Sequence, residues 1–323
     1  MNDDSKNIAK KVILDCDPGM DDSMAIVMAA KSRKLELLAV TTVNGNYSIE
    51  TTSKNALKTL EMIARSDIPV ARGMGKPMIR PVPKDPFTHG IDGQAENFLP
   101  EPASGVSKLH AVDLIIQTVK RYPGEVYILC TGPMTNLALA LIKAPEIVRL
   151  IPAVIAISGM FGLNEYAFKN ATGDTPQSEW NVYVDPEAAD IVYRSGVKLV
   201  ALGLDVATHF DVNFTEAQLN MLKESNRKEA RFLYNAIQFV TGRGFDAYCT
   251  IIDCLAIGYA IDPTFVKTMK ARVGIETKGV LSLGMTVVDR RHHHVWNQLP
   301  EIEIGMEVDY TRFLRLLIEL VLQ

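Results

Sequence analysis

The stretch VILDCDPGMDD, Val12 to Asp22, leads an apolar run of strand character into four carboxylates, Asp15, Asp17, Asp21 and Asp22, packed into eight residues. Like charges this close repel, and a hard cation is the usual remedy. An oxygen-only donor set suits a hard cation, Ca2+ or Mg2+, rather than zinc. Pro18 and Gly19 permit a tight turn, which puts Asp21 and Asp22 at the start of a helix, where the dipole tolerates anions. A single Asp there is equally well explained as an N-cap. Four together are not.

The rest of the chain has a regular rhythm. KKVILD reads as a strand, Asp22 to about Lys31 as a helix, LELLAVTTV as a strand and Thr51–Arg65 as a helix, with IPVARG a third strand. HAVDLIIQTVKRY, EVYILC and TNLALALIKA continue as helix, strand and helix, followed by IPAVIAIS, PEAADIVYRSG and KLVALGL. Parallel strands need crossover connections, so this α/β alternation predicts a mostly parallel, Rossmann-like open sheet flanked by helices. Between about Thr215 and Tyr248 the pattern is helical without strands, an α-helical insertion in the C-terminal half. GMTVVDRR and EIEIGMEVD read as late strands. The closing YTRFLRLLIELVLQ has Phe313, Leu316, Leu317 and Leu320 at helical spacing. Residues 78–105 and 161–181 are long irregular segments of the kind that carry function in compact domains. With no internal repeat or linker, 1–323 is expected to form a single domain.

Hydrophobic residues make up 47% of the chain, enough for a large core. The net charge of -4 argues against nucleic acid or an anionic membrane as partner. MNDDSKNIAK lacks the apolar core of a signal peptide, and no charge-free stretch reaches the roughly 18 residues of a membrane span. A soluble, cytoplasmic protein is expected. Cys16, Cys130, Cys249 and Cys254 have neither CxxC pairing nor zinc spacing, which speaks against a disulfide framework.

Four further stretches are site candidates. CTGPMTNLA, Cys130 to Ala138, follows a strand and turns into a helix that Thr135 or Asn136 would cap. Asp253 in YCTIIDCLAIGYA precedes an apolar helical run, where an isolated acid is commonly an N-cap. In SEWNVYVDPEAA, Glu179 and Asn181 are two apart on an extended segment and so project to one side, with Asp185 starting a helix. His89 in FTHGIDG sits among glycines that allow close approach to a ligand. The tract His292–His294 reads as a solvated loop.

In their order along the chain these pieces resemble one family. DCDPGMDD is similar to the signature of the inosine-uridine-preferring nucleoside hydrolases. The resemblance continues through TTVNGN, HGIDG, TGPMTNLA, SEWNVYVDPEAA, Asp253 and GMTVVD, and so covers nearly the whole chain. It implies a Ca2+-dependent hydrolase that cleaves a ribonucleoside to ribose and free base, with a part in purine or pyrimidine salvage. Carried over residue by residue, Asp17, Asp22, the Thr131 carbonyl and Asp253 would hold calcium. Asp17 would also be the base toward the calcium-bound water. Asp21 and Asn46 would take the ribose 2′- and 3′-hydroxyls, Glu179 and Asn181 would face the 5′-hydroxyl, and Asp15 would support the site from behind. The family suggests a homodimer or homotetramer.

The sequence departs from the family at three places. Ile252 stands where a His before the late Asp serves the leaving base, which leaves His89 or another loop residue to take that part. Ser158–Met160 replaces MGG, and Thr172-Gly173 replaces the GN before TP. Two other readings follow. DCDP also fits a haloacid-dehalogenase-type phosphatase with Asp15 as nucleophile and Mg2+ bound. The loss of the His also suits a calcium and nucleoside binder without turnover.

Overall fold

The computed structural model describes residues 9–83, 88–209, 213–293 and 295–323; His294 and part of the 78–105 loop lie outside them. Nine strands form one sheet: β1 (Lys10–Cys16), β2 (Leu35–Thr42), β3 (Val70–Arg72), β4 (Val126–Cys130), β5 (Val154–Ile157), β6 (Leu199–Leu202), β7 (Val266–Ile275), β8 (Thr286–Val288) and β9 (Glu301–Val308). Their order is β3-β2-β1-β4-β5-β6-β9-β7-β8. Strands β1 to β6 and β9 pair in parallel, while β7 runs antiparallel to both β9 and β8. The expected mostly parallel α/β sheet is therefore present, closed by an antiparallel edge.

The helices are α1 (Met20–Lys31), α2 (Ile49–Met62), α3 (Ala111–Arg121), α4 (Thr135–Lys143), α5 (Glu165–Lys169), α6 (Trp180–Val184), α7 (Pro186–Arg194), α8 (Leu204–Ala207), α9 (Glu216–Glu224), α10 (Lys228–Thr241), α11 (Cys254–Ile261) and α12 (Tyr310–Leu322). They cover both faces of the sheet. From β1, Val12, Leu14 and Cys16 pack with Met24 and Met28 of α1, Leu60 of α2, Ile257 of α11 and Leu317 of α12. Ile13 points the other way, toward Ile115 of α3, Leu137 of α4 and Val192 of α7. A strand buried on both faces needs a continuous apolar run, which is why VIL precedes the first acid. The helical insertion is α9 and α10, between β6 and β7.

Two local expectations are corrected. SEWNVYV is extended only through Ser178 and Glu179: Asn181 lies in α6, and Glu179 is its N-cap, its carboxylate accepting from Asn181 N and Val182 N. Helix α4 is not capped by Thr135 or Asn136, because its N-cap position is Met134 without a side-chain bond. Strand β7 escapes the sequence pattern because Lys267, Lys270 and Arg272 interrupt VKTMKARVGI. Among the described residues no helix is long and apolar enough to cross a membrane.

The order β2-β1-β4 sets the location of the site. Chain direction through the sheet reverses at β1, so the loops leaving β1 and β4 diverge at its carboxyl edge. Open α/β sheets bind ligands at such switch points.

Candidate active site

The first loop brings its acids to the switch point by three backbone devices. Asp22, in the first turn of α1, accepts Gly19 N on Oδ2 at 3.1 Å. Asp17, one residue beyond β1, accepts Asn46 N on Oδ2 at 2.7 Å, while Asn46 Nδ2 reaches the Asp17 carbonyl at 3.3 Å. Glycines leave room for the Asp17 carboxylate. A Cβ at Gly45 would stand 1.9 Å from its Oδ2, and one at Gly132 would stand 2.7 Å from its Oδ1.

The loop after β4 supplies the opposite wall. Thr131 Oγ1 donates to Asp22 Oδ1 at 2.7 Å. The Thr131 carbonyl accepts Asn181 Nδ2 at 2.8 Å, leaving one lone pair for another partner. Asp253 holds the N-cap position of α11 yet makes no capping bond. Its carboxylate instead joins those of Asp21 and Asp22, and one oxygen from each lies within 4.8 Å of the others. The three acids are buried, as is Asp17.

Such a group cannot carry full charge without help. Burial, and then repulsion from Asp22, push the Asp17 carboxyl well above its ordinary range. Burial and the charges of Asp21, Asp22 and Asp17 do the same to Asp253. Asp21 is pushed to about 8, chiefly by burial and then by Asp22. Asp17 Oδ1 and Asp21 Oδ1 are buried with no hydrogen-bond partner. Unsatisfied anionic oxygens that converge in a buried site are the donor set of a hard divalent cation. Among the described residues no lysine or arginine forms an ion pair with these four acids. The residues fit a metal ion.

Above the acids opens a cavity of about 450 Å³. Of the sequence candidates, Asp21, Asn46, His89, Thr131, Glu179, Asn181 and Asp253 line it. Glu179 carries its own constraint: Oε1 accepts Asn181 N at 2.7 Å, and Oε2 accepts Val182 N at 3.1 Å and Gly159 N at 3.2 Å. Burial nevertheless raises its carboxyl to about 7. His89 is buried rather than solvated; its Nδ1 accepts Met20 N at 3.4 Å and lies 3.7 Å from Asp21 Oδ1. Burial lowers the imidazole to about 4, so at neutral pH it is uncharged with its proton on Nε2.

Asp15 is not in the cavity. Its Oδ1 accepts Thr41 Oγ1 at 2.5 Å and Asn136 Nδ2 at 2.8 Å behind the site, and burial places its carboxyl at about 6. A nucleophile must face its substrate, so the phosphatase reading with Asp15 as the attacking group fails. Asn136, expected as a cap, instead ties Asp15 to the Thr42 carbonyl and to Met74 N.

Several lining residues were not singled out in the sequence: Lys169, Asn170, Trp180, Phe245, Tyr248 and Cys249. Trp180 stands between the two quoted candidates Glu179 and Asn181, so a missed signal was within reach there. Gly173 does not line the cavity, and a Cβ there would stand 2.0 Å from Ser178 Oγ. The amide on this wall is Asn170. Ile252 lines the cavity directly beside Asp253.

Comparison with known proteins agrees with this geometry. A profile of the inosine-uridine preferring nucleoside hydrolases matches residues 12–315. The chain is 34% identical to the pyrimidine-specific ribonucleoside hydrolase RihA of Escherichia coli O139:H28, over 96% of this chain and 97% of that one. It is also 34% identical to RihA of Citrobacter koseri, over 97% and 98%. A plant nucleoside hydrolase structure superposes with a TM-score of 0.85 at 30% identity, covering 98% of this chain and 99% of its own. The purine-preferring ribonucleoside hydrolase of Gardnerella vaginalis gives 0.84 at 30% identity, covering 97% and 98%. With its acids gathered at the sheet's switch point and this similarity running end to end, the chain belongs to the inosine-uridine preferring nucleoside hydrolase family.

Proposed function

We propose that the whole chain, 1–323, acts as one catalytic unit that hydrolyses the N-glycosidic bond of ribonucleosides, with Ca2+ as its metal. The observation that carries this reading is the gathering of Asp21, Asp22 and Asp253, with unpartnered oxygens on Asp21 and on nearby Asp17, at a cavity that Asp21 and Asp253 line and that is sized for a small molecule. Calcium, when bound, supplies positive charge that orients ribose hydroxyls and makes a water more acidic. Asp17, Asp22, the free lone pair of the Thr131 carbonyl and Asp253 would hold it.

The residues divide the remaining work. Asp17 Oδ2 is fixed by the Asn46 amide, so Oδ1 is free to take the proton of an attacking water. Asp21 and Asn46 face the cavity and would accept and donate to the ribose 2′- and 3′-hydroxyls. Glu179 and Asn181 would face the 5′ end. The glycosidic bond breaks through an oxocarbenium-like transition state, and carboxylates beneath the sugar stabilise the charge that develops there. The departing base meets Phe245, Tyr248 and Ile252, with the neutral His89 as hydrogen-bond donor through Nε2.

RihA is named for pyrimidine ribonucleosides and the Gardnerella enzyme for purine ones, so both classes are proper substrates to test here. A role in nucleoside salvage, cytoplasmic residence and a homodimeric or homotetrameric state complete the proposal. The test is release of reducing sugar from inosine, uridine, cytidine, adenosine and p-nitrophenyl riboside. Cleavage of a ribonucleoside is expected. Tight nucleoside binding with silence on all five would favour a non-catalytic binder.

A further inference from the structure

The turn that carries His89 is held in an unfavourable backbone conformation. Ala95, Glu96 and Phe98 have φ of 55°, 55° and 44°, the left-handed region, where a side chain costs on the order of 1 kcal/mol or more per residue. None of the three is glycine, so the surroundings must impose the shape. One carboxylate does so. Asp92 Oδ1 accepts Gln94 N at 2.8 Å and Glu96 N at 2.9 Å, and Oδ2 accepts Phe98 N at 2.9 Å. Ala95 N then closes the turn onto the His89 carbonyl at 2.7 Å.

The same turn is fastened to the catalytic loop. Asn55 Nδ2 donates both to the Pro18 carbonyl and to the Asp92 carbonyl, each at 3.1 Å. Gln94 Nε2 donates to Ser23 Oγ at 3.0 Å and Thr59 Oγ1 at 3.1 Å, and Ser23 Oγ bonds the Gly19 carbonyl at 2.6 Å. Contact is close: a Cβ at Gly19 would stand 2.6 Å from His89 Nδ1, and one at Gly93 would stand 2.8 Å from Asn55 Nδ2. Asp92, Asn55 and Gln94 do not line the cavity, whereas His89 does. The strained turn therefore delivers one imidazole to the site.

We propose that Asp92 is a positioning residue for the ribohydrolase reaction: its carboxylate sets the 89–98 turn and so fixes the His89 ring against Met20 N, beside Asp21. The proposal rests on the ribohydrolase reading, and Asp92 acts only through His89. Without it, the turn relaxes from the left-handed conformation and Nε2 loses its aim into the cavity. A misplacement of about 1 Å at a reacting group can cost up to roughly a hundredfold in rate.

The experiment is a mutant cycle on p-nitrophenyl riboside and on the best natural nucleoside. Asp92→Ala should lower kcat/KM about tenfold, within that range. In a His89→Ala background the same change should have no further effect. Adding Glu96→Gly to Asp92→Ala should recover much of the loss, because glycine adopts a positive φ freely. Asp92→Asn, which keeps one acceptor oxygen, should fall between and serves if the alanine variant does not fold. Imidazole 15N shifts should report loss of the single Nε2–H tautomer of His89 in Asp92→Ala, independent of turnover. Unchanged kcat/KM in Asp92→Ala, equal losses in both backgrounds, wild-type rates in His89→Ala, or an unaltered His89 tautomer would each overturn the proposal. A wild-type enzyme silent on every ribonucleoside, with the His89 tautomer responding as expected, would instead overturn the ribohydrolase reading.

Discussion

Thr131 Oγ1 donates a 2.7 Å hydrogen bond to Asp22 Oδ1, joining the loop after β4 to the first turn of α1 across the switch point of the sheet. Together with Gly19 N on Oδ2, it helps to set which way the carboxylate faces. If Asp22 is a metal ligand as proposed, a partner of this kind is typically worth about 10- to 100-fold in metal affinity. Thr131→Val, which keeps the shape and the backbone carbonyl, should weaken Ca2+ binding by about tenfold with the fold intact. Calorimetric titration checks this, and an unchanged affinity would remove Thr131 Oγ1 from the centre.

Behind the site, Asn136 satisfies Asp15, the Thr42 carbonyl and Met74 N, all inside the protein. Asn136→Ala removes those partners without touching the cavity. A buried polar group left unpaired costs about 1–3 kcal/mol, and the change should show first as a lower Tm. Activity at low temperature should persist. A loss of activity with no loss of stability would mean that Asp15 takes a direct part in the chemistry.

The carboxyls set the pH dependence of stability. In the folded, metal-free protein Asp15, Glu179 and Asp21 sit at about 6, about 7 and about 8, all above the ordinary values of 3.8 for Asp and 4.5 for Glu. A raised folded pKa means that the native state binds more protons than the unfolded chain, so stability is lost as pH rises through the folded values. His89 works in the opposite direction between about 4 and 6.5, one group against several raised carboxyls. Metal-free protein should therefore melt at a lower temperature at pH 8 than at pH 5. Ca2+ should raise Tm more at pH 8, where the acids are ionised. Thermal scans with and without Ca2+ measure both, and an equal metal-induced shift at the two pH values would contradict the site's electrostatics.

Ile252 stands beside Asp253 on the cavity wall and offers the leaving base no proton. A base that is a poor leaving group needs protonation more than p-nitrophenolate does. Ile252→His should raise kcat/KM on a natural nucleoside by about tenfold or more, within the usual range for acid catalysis, and leave p-nitrophenyl riboside nearly unchanged. A parallel rise on both substrates would show that the His acts on the ribose end.

Much of this site is legible in the sequence because local chemistry announces it. Asp17, Asp21 and Asp22 crowd one short loop behind an apolar strand, which no ordinary fold tolerates without a reason. The alternation of strands and helices likewise fixes a parallel sheet, since short loops cannot join parallel neighbours. Asp253 is different. Its neighbours read as a capped helix, and only the packing of α11 against α1 turns its carboxylate into the cluster. Asn136 and Glu179 play parts that local pattern does not suggest: the expected cap is a network hub, and Glu179, expected on an extended segment, also caps a helix. Side-chain hydrogen bonding over 121 residues of separation, as between Asn136 and Asp15, has no trace in local periodicity. Strand β7 is lost for a related reason, because an antiparallel strand with one wet face carries too many charges to stand out.

The most direct test is the rate of ribose release by wild type and by Asp17→Ala, each measured with chelator, after Ca2+ is restored, and with Mg2+ in its place. Wild type should lose activity in chelator and recover it with Ca2+. Asp17→Ala should stay at least about 100-fold slower at saturating Ca2+, with a native circular dichroism spectrum. Full activity in chelator, or wild-type rates from Asp17→Ala, would contradict a metal-dependent ribohydrolase built on this cluster.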